Sequence, residues 1–429
     1  MAGETPYDWL VDIASAHPDR ACLVGPDKVY GYADVQTLVS ERAAALSEGI
    51  ERDQIVPVPV ANDAESIVEL LATQVAGGVP LPFVGKLPEV PLKQAEGVAI
   101  CVLTSGSDGT PKIVPHTYEG IESSVRASKD RLGNTGEDRW LLCLPLNHVG
   151  GLSIVWRSLE AGGVIVVAPF DATGETIETL KPTIASMVPT MVHRLLETNP
   201  SAIASVETVL VGGAALMHGM WSRASDLGVR LVPTYGMTEA GSQIATLAAT
   251  DERRESGLVG RPLAGFTVTI VDSFGVEVAT GSTGRIAVDG PAMFAGYLGQ
   301  RPAPKPFITG DLGRITVEGD LYVEGRHDDI VVTGGENVSP GHVADIIGRI
   351  DGVRDVCVVS LDDSEWGSIV AAMVVADRPI DSRHTMVEMS LDARERPKRW
   401  ITTDEIPKLQ NGKHDVAAVR AAFEEESWT

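Results

Sequence analysis

Residues 98–112 read VAICVLTSGSDGTPK, and this stretch is the most informative about the fold. Its short, β-branched first part, VAICVL (98–103), predicts a buried strand. The segment that follows, Thr104–Lys112, combines glycines, hydroxyl side chains and a lysine. Glycines let backbone N–H groups turn toward an anion, hydroxyls add donors and the lysine supplies a point charge. The stretch therefore predicts a strand followed by a phosphate-binding loop. Taken alone it leaves a plain Ser/Gly turn with an exposed Lys112 as the alternative.

Strand-like and helix-like segments alternate on both sides of this loop. Helical spacing of apolar residues marks Val35–Gly49 and Glu65–Ala76, whereas 206–216 and 229–241 predict strands that run into tight loops. This alternation predicts an α/β fold with layered helices and a largely parallel sheet. After about Gly265 the pattern changes to strand, turn and strand, which predicts a small β-rich subdomain. The last hundred residues predict a small α+β domain.

Composition excludes several classes of protein. The 429 residues carry 35 Lys plus Arg against 59 Asp plus Glu, a net charge of −24, which argues against a nucleic-acid-binding surface. The four cysteines lie far apart without C-x-x-C spacing, so we expect a reducing compartment and neither a disulfide framework nor a structural zinc site. The N-terminus lacks the pattern of a signal peptide, and no run approaches the roughly 20 apolar residues needed to span a bilayer. These features predict a cytoplasmic protein without membrane attachment.

Four further motifs follow the phosphate loop in order: YGMTE (235–239), TGD (309–311), GRHDD (325–329) and PKLQNGK (407–413). With the loop, they resemble the core motifs of the adenylate-forming superfamily of acyl- and aryl-CoA ligases, luciferases and non-ribosomal adenylation domains. Each motif is weak alone, but five in order over nearly the whole chain are specific. The resemblance implies a large adenylation domain (1–325), a hinge (326–329) and a small, mobile C-terminal lid domain (330–429).

The resemblance also implies a role for each motif residue. The ATP β- and γ-phosphates would be held by Thr104, Ser105, Gly106, Ser107, Gly109 and Lys112. The adenosine would be bound by Gly213, Ala214, Tyr235, Gly236, Asp311 and Arg326. The remaining assignments are Thr238 at the α-phosphate, Glu239 on Mg²⁺, Asp328 as the hinge, Gly334 and Gly335 along the CoA tunnel, and Lys413 at the α-phosphate and the substrate carboxylate.

The residue types suit the chemistry that the resemblance implies. A carboxylate attacks the α-phosphate of ATP and pyrophosphate leaves, so negative charges must approach one another among cations and aligned donors. A thiol then attacks the acyl-adenylate. In the superfamily the small domain rotates between the two steps, which would withdraw Lys413 and open a pantetheine tunnel. ATP, Mg²⁺ and coenzyme A are the implied cofactors and co-substrates.

Two residues of the phosphate loop region depart from the family pattern. Asp108 stands where the family usually has Thr or Ser, and Ile113 replaces a frequent Gly. A carboxylate beside a triphosphate is repulsive unless it is turned away, protonated or near Mg²⁺. This departure supports one alternative, a catalytically impaired paralogue that binds a nucleotide or an acyl-adenylate. The presence of Glu239, Asp311 and Lys413 argues against it.

A second set of segments concerns the acid: LPLNHVGGLSIVWR (144–157), VPTMVHRLLE (188–197) and MTEAGSQ (237–243). They resemble the o-succinylbenzoate–CoA ligases of menaquinone biosynthesis. The resemblance implies that Arg157 anchors the second carboxylate of a dicarboxylic or related aryl acid, with Gly150 in the same pocket and His148 as a catalytic gate. An arginine fork suits a carboxylate because it binds both oxygens. The alternative is an Arg157 that caps or pairs on a helix surface. Asn147 and Gly150 replace residues that the family usually has there.

The acceptor thiol and the partners stay open at this stage. We expect no carrier domain after the lid domain, so the thiol belongs either to free CoA or to a separate carrier protein. A stand-alone adenylation enzyme that loads an aryl or amino acid onto such a carrier is therefore the second alternative. No Asp that would bind an α-amine occurs in 146–152 or in the VPT segment. This argues against activation of an amino acid and leaves an aryl acid as the substrate of this alternative. Members of the superfamily are often dimers, and the sequence specifies no interface.

Overall fold

The computed structural model describes residues 4–90, 94–105, 111–168, 173–214, 216, 218–333, 336–363, 366–378, 391–408 and 414–425. The helices in these ranges are α1 (Pro6–Ala16), α2 (Tyr32–Leu46), α3 (Ala64–Val75), α4 (Tyr118–Leu132), α5 (Val149–Ala161), α6 (Thr173–Leu180), α7 (Pro189–Thr198), α8 (Pro200–Ala204), α9 (His218–Asp226), α10 (Pro340–Gly348) and α11 (Val416–Glu425). The strands are β1 (Ala21–Val24), β2 (Val29–Gly31), β3 (Ile55–Pro59), β4 (Val79–Phe83), β5 (Ile100–Ser105), β6 (Pro111–His116), β7 (Arg139–Leu142), β8 (Val164–Val167), β9 (Ile184–Met187), β10 (Thr208–Val211), β11 (Leu231–Met237), β12 (Ser242–Thr246), β13 (Leu258–Pro262), β14 (Thr267–Val271), β15 (Gly284–Asp289), β16 (Phe307–Ile315), β17 (Leu321–Arg326), β18 (Val331–Thr333), β19 (Glu336–Val338), β20 (Val353–Asp363), β21 (Gly367–Ala376) and β22 (Arg399–Thr402).

One long sheet forms the frame of the larger part of the molecule. Its strands lie in the order β14-β15-β16-β17-β13-β12-β11-β10-β9-β7-β8-β1-β2. Strands β1, β8, β7, β9, β10 and β11 run parallel, and from β12 onward the neighbours are antiparallel. The parallel strands are short and mostly buried, β8 at all four residues, as expected for a sheet covered on both faces. The predicted α/β fold is confirmed.

Helix α5 is buried on nearly every side, which explains its composition. Ten of its 13 residues are buried, including Leu152, Ile154 and Trp156. A helix without a polar face belongs in the core of a large domain. It begins after His148, whose backbone is extended, and ends at Gly162, whose φ of 71° is the left-handed conformation that glycine adopts without strain. The helix therefore carries Arg157 into the interior.

The C-terminal part of the chain builds a second, smaller sheet in the order β19-β18-β21-β20, with β22 beside β21. The sheet has an apolar cluster on each face. Val356 and Val358 of β20 pack with α10, whereas the alternate residues Cys357 and Val359 pack with α11. This period of two is what a strand covered on both faces requires. The strand-turn-strand pattern after Gly265 corresponds to β14 to β17, at the other end of the long sheet.

The two sheets are joined by a very short connection. Strand β17 ends at Arg326, residues His327–Asp329 form one turn of 3₁₀ helix, and β18 begins at Val331. Asp328 lies in this turn. The hinge at 326–329 and the boundaries 1–325 and 330–429 stay predictions, because motion between the two sheets is what defines them. In the described ranges, no helix is long and apolar enough to cross a membrane.

Candidate nucleotide and acid site

Strands β5 and β6 form the hairpin that carries the phosphate loop. The strand predicted over 98–103 is observed two residues later, as β5 (Ile100–Ser105), and its ladder with β6 places Thr104 opposite Lys112 and Ser105 opposite Pro111. The hairpin thus brings a hydroxyl and a lysine to the two ends of the loop. The expected phosphate ligands Gly106, Ser107 and Gly109, and also Asp108, lie outside the described residues.

Next to the hairpin, strand β11 ends in the predicted tight loop. Thr238, Glu239 and Ala240 form a 3₁₀ turn that closes at Gly241, whose φ is 67°. The chain then returns as β12. Gly236 pairs with Gln243 across this hairpin, and a Cβ on Gly236 would overlap the carbonyl oxygen of Ser242. Only glycine allows the two strands to approach this closely.

The ribose side of the expected site holds a tyrosine-carboxylate pair. The Tyr235 hydroxyl donates a hydrogen bond of 2.7 Å to Oδ2 of Asp311, and the backbone N–H of Asp311 donates to Thr309 Oγ1 at 3.0 Å. Burial raises the pKa of Tyr235 well above its usual value, and the Asp311 carboxylate raises it further. The phenol therefore stays protonated as a donor. Arg326 lies directly opposite Asp311 in the ladder of β16 and β17.

Gly213 and Ala214 follow β10, the strand beside β11 in the parallel part of the sheet. Both are exposed, and Gly213 has a φ of 82°. Carboxyl ends of neighbouring parallel strands meet at one edge, where ligands bind in α/β sheets. The two expected adenine residues thus share an edge with Tyr235 and Gly236.

Tyr297 joins two of the expected site residues and was not predicted. Its hydroxyl donates a hydrogen bond of 2.7 Å to Glu239 Oε1, and the Lys112 ammonium lies 5.3 Å from the centre of its ring. Burial raises the pKa of Tyr297, and the Glu239 carboxylate adds to the shift, so the hydroxyl remains a donor. Glu239 and Tyr297 are 58 residues apart. No short motif signals this contact, which depends on the fold.

Glu239 suits a magnesium ion as a single carboxylate ligand. Among the described side chains, its Oε2 has no hydrogen-bond partner, while Oε1 is oriented by Tyr297. The same part of the chain contains no group of three or more His, Cys, Asp or Glu residues placed to hold a metal. Mg²⁺ in nucleotide enzymes needs no such group, since one or two carboxylates and the substrate phosphates hold it together with water.

The side of the site expected to bind the acid begins with the residues before α5. His148 is exposed at the N-terminus of the helix, and Gly150 lies two residues further along the chain. A Cβ on Gly150 would lie 3.0 Å from Leu144 Cδ1, so that side chain would have to shift to admit a larger residue. The Oδ1 atom of Asn147 is buried and accepts no hydrogen bond from the part of the chain that the structure describes. These features leave polar and small groups around the start of α5.

Arg157 is almost fully buried, with 1% of its surface exposed, and so does not lie on a helix surface. Its Nη2 donates to Ser242 Oγ at 3.1 Å, and its guanidinium lies 5.5 Å from the Trp140 ring centre. Its Nε is buried and has no hydrogen-bond partner among the described residues. No carboxylate of the described residues lies within ion-pair distance. Burial lowers the pKa of Arg157 to about 9. A buried cation without a counter-charge is costly unless a ligand supplies one.

Ser242 is a second residue that sequence reasoning missed. Its φ of 129° lies in the region that favours glycine, which marks backbone strain at a serine. Its hydroxyl contacts Arg157 and donates to Ser153 Oγ at 3.3 Å. Strained residues are retained where the surrounding structure fixes them, often at functional sites. MTEAGSQ pointed to this segment but did not identify the serine.

Comparison with known proteins fits this arrangement. The chain matches the AMP-binding enzyme family over residues 84–298 and the AMP-binding enzyme C-terminal domain over residues 342–413. The chain belongs to the AMP-binding enzyme family.

The chain is also similar to individual proteins with more specific names. The 2-succinylbenzoate–CoA ligase of Enterococcus faecalis is 33% identical over 330 residues, which cover 74% of this chain and 68% of that protein. The protein of the same name from Bacillus cereus is 29% identical and covers 98% of this chain and 99% of its own. The o-succinylbenzoate–CoA synthetase of Bacillus subtilis, solved with the acyl-adenylate intermediate OSB-AMP, superposes with a TM-score of 0.83 at 24% identity over 96% and 97% of the two chains. This likeness shows a shared fold.

Besides the phosphate-loop residues named above, three more expected site residues of this AMP-binding enzyme fall outside the described residues. They are Gly334 and Gly335, which follow β18, and Lys413, which precedes α11. The segments on either side are described, and they include Thr333, Glu336, Lys408 and His414. The roles of these three residues therefore stay predictions.

Proposed function

We propose that this AMP-binding enzyme is an ATP-dependent acid–CoA ligase, which forms an acyl-adenylate and then a CoA thioester. We further propose o-succinylbenzoate, or a closely related aryl dicarboxylic acid, as its substrate. The observation that carries the proposal is Arg157, a buried guanidinium that has no carboxylate partner in the described residues and contacts the strand leaving the Glu239 turn. The names of the relatives support the same reaction.

ATP would lie along the edge formed by the ends of β10 and β11 and by the phosphate hairpin. Asp311 has a second carboxylate oxygen beyond the one held by Tyr235, and a carboxylate can accept from both ribose hydroxyls. Thr104 and Lys112 would hold the distal phosphates, and Thr238 would donate to the α-phosphate. Magnesium, held by Glu239 and the phosphates, would neutralise charge as pyrophosphate departs.

In the first step an oxygen of the acid attacks the α-phosphorus, and the bond to pyrophosphate breaks. Lys413 is the proposed cation for the α-phosphate and the attacking carboxylate. Loss of a single transition-state donor costs about 3–4 kcal/mol in other enzymes, which sets the scale for its contribution. His148, exposed at the start of α5, is proposed to lie between the acid and the phosphates. Tyr297 fixes the carboxylate of Glu239 before the reaction begins, which limits reorganisation.

In the second step the sulfur of CoA attacks the acyl carbonyl carbon, and the bond between that carbon and the AMP oxygen breaks. We propose that the lid domain, 330–429, rotates about Asp328 between the steps, so that Lys413 withdraws and the loop of Gly334 and Gly335 lines the path of the pantetheine. A connection of only one 3₁₀ turn between the two sheets suits such a hinge. A homodimer, a carrier-protein acceptor and residence in the cytoplasm remain untested predictions.

Arg157 accounts for the choice of a dicarboxylic acid. One carboxylate must be free to react, and the other can bind in the interior where Arg157 and Ser242 present N–H and O–H groups. A carboxylate there would supply the missing counter-charge and satisfy the unpartnered Nε. A monocarboxylic acid of the same shape would leave the guanidinium unpaired. Selectivity would therefore come from the cost of that unpaired charge.

Mass spectrometry of products tests the function. The protein is incubated with ATP, Mg²⁺, CoA and a panel containing o-succinylbenzoate, its monocarboxylic analogues, benzoates, fatty acids and amino acids. We expect one CoA thioester, that of o-succinylbenzoate or a close relative, with release of AMP. Adenylate without thioester would instead indicate a carrier protein as the acceptor. No AMP with any acid would contradict the proposal and favour a nucleotide-binding paralogue, with Asp108 as the first residue to replace.

A further inference from the structure

A buried carboxylate of the small sheet holds together the two ends of the segment that leads to Lys413. Asp355 lies on β20 with only 7% of its surface exposed. Its Oδ1 lies 3.0 Å from His414 Nε2, and its Oδ2 lies 3.4 Å from Lys408 Nζ. Lys408 and His414 also pair with each other through an antiparallel bridge. The three side chains form a cluster that we call the neck.

The neck limits the backbone on both sides of residues 409–413. Beyond the bridge, the backbone N–H of Asp415 donates to the Pro407 carbonyl at 2.9 Å, and Asp415 then caps the first turn of α11 through Ala418 N–H at 3.0 Å. Consecutive Cα atoms are joined at a fixed spacing of about 3.8 Å, and Lys413 directly precedes His414 in the sequence. Whatever fixes His414 therefore restricts where Lys413 can reach.

The charges in the neck favour an ionised Asp355. Burial opposes ionisation, but the hydrogen bond from His414 and the charges of His414 and Lys408 outweigh it, so the pKa of Asp355 lies below its usual value. Its Oδ1 also accepts from its neighbour Val356 N–H at 3.0 Å. A buried carboxylate with several donors is costly to leave without them, so the cluster resists opening.

The neck also lies against the larger part of the molecule. His193 of α7 is within the electrostatic influence of both Asp355 and Lys408; burial lowers its pKa, and Asp355 opposes that shift. The preceding residue of β20, Arg354, lies 3.7 Å from Glu197 of α7. The neck therefore sits where the two sheets' domains meet.

We propose that Asp355 is a positioning residue for adenylate formation, because it fixes through Lys408 and His414 the neck from which Lys413 reaches the α-phosphate. This rests on the proposed function, in which Lys413 serves the first step and is withdrawn for the second. Asp355 would then matter for adenylation and not for thioester formation. A carboxylate that only stabilised the small domain would affect both steps equally.

The test compares Asp355→Asn with Asp362→Asn, an exposed carboxylate on the same strand with no side-chain contact among the described residues. Asn keeps the shape and an acceptor but loses the charge. A misplacement of about 1 Å costs about 100-fold. We therefore expect ATP–pyrophosphate exchange to slow by about 10- to 100-fold in kcat, with the KM for ATP within about twofold. Thioester formation from supplied acyl-adenylate and CoA should stay within about twofold of wild type. Asp362→Asn should match wild type in both.

Two further measurements keep the test decisive. His414→Gln and Lys408→Met remove single contacts, and the double variant Asp355→Asn/His414→Gln should be no slower than Asp355→Asn, since both act through one contact. Trypsin cleavage after Lys408 and Lys413 should be at least tenfold faster in Asp355→Asn than in Asp362→Asn, because the neck opens more often. The cleavage rate reports how often the neck opens even if the acid panel gives no product. A failure of this inference can therefore be told apart from a failure of the proposed function.

Unchanged cleavage and unchanged exchange in Asp355→Asn would overturn the proposal. Equal slowing of both half-reactions, or a loss of folding in Asp355→Asn with wild-type behaviour of His414→Gln, would overturn it as well, because either result assigns Asp355 a purely structural role.

Discussion

Replacing Arg157 by methionine is expected to weaken recognition of the acid without destabilising the ligand-free protein. Methionine keeps much of the length and volume and removes the charge. The fall in the pKa of Arg157 to about 9, from 12.5, corresponds to about 5 kcal/mol against the charged form. The free protein therefore bears a cost that Arg157→Met removes. The contacts that methionine loses are the one hydrogen bond to Ser242 and the position beside Trp140.

The effect on catalysis follows from the same burial. Removing one partner of a buried, hydrogen-bonded charge pair costs about 2–5 kcal/mol. At 1.4 kcal/mol per factor of ten, this range corresponds to a loss of about 30- to 4,000-fold. We expect this loss in the ratio of kcat/KM for o-succinylbenzoate over that for its monocarboxylic analogues. The KM for ATP should not change, since Arg157 contacts Ser242 and is not among the residues proposed to bind ATP.

The assay measures acid selectivity and stability for Arg157→Met and for a control, Arg230→Met. Arg230 is an exposed arginine that also lies in the larger part of the molecule. Pyrophosphate release gives kcat/KM for o-succinylbenzoate and for the two analogues that each lack one carboxylate. Thermal unfolding without ligands gives the stability. An unchanged ratio would remove Arg157 from the acid site. A melting temperature well below that of wild type would refute the argument that the unpaired charge is a cost in the free protein.

Three further outcomes are expected. Lys413→Ala should slow adenylate formation by about 100- to 1,000-fold and spare thioester formation from supplied adenylate, measured as separate half-reactions; equal losses would contradict domain alternation. Tyr297→Phe should raise the Mg²⁺ concentration needed for half-maximal rate several-fold, because Glu239 loses the donor that orients it; an unchanged magnesium titration would speak against that role. Burial lowers the pKa of His116 to about 4, so the unfolded chain binds a proton that the folded one does not. Stability should therefore fall by about 3 kcal/mol as pH drops from about 6.5 to about 4, and His116→Phe should flatten this slope in urea melts at several pH values. A slope that persists in that variant would assign it to other groups.

Local sequence patterns predicted much of the fold, because a strand of the parallel sheet is covered on both faces and must be apolar along its whole length. The strand predicted within 206–216 is β10, which pairs in parallel with β9 and β11, and the helical spacing of Glu65–Ala76 corresponds to α3. Motif order also anticipated a close pair, since Asp311 and Arg326 lie opposite one another in a ladder. Such information is local, or it is repeated along the chain as a fixed series of motifs.

The contacts that the sequence did not reveal join distant segments. Tyr297 reaches Glu239 across 58 residues, and Ser242 reaches Arg157 across 85. A tyrosine in a glycine-containing loop and a serine after a turn are common in any chain, so neither stands out before the strands are placed. The neck around Asp355 is of the same kind: a lone Asp at the start of a strand gives no sign of two partners in the tail.

On the proposed function, the hairpin of β11 and β12 would let one short segment serve both substrates. It lies where the sheet changes from parallel to antiparallel, so its two strands diverge from a common turn. Tyr235 on β11 contacts Asp311, which is proposed to bind the nucleotide, and Ser242 on β12 contacts Arg157, which is proposed to bind the acid. Gly236 lets the strands approach closely enough to keep these contacts near one another. On the proposed function, the acyl-adenylate bond would form beside the Thr238–Ala240 turn, and the strain at Ser242 would be the cost of placing an acid-binding hydroxyl two residues after it.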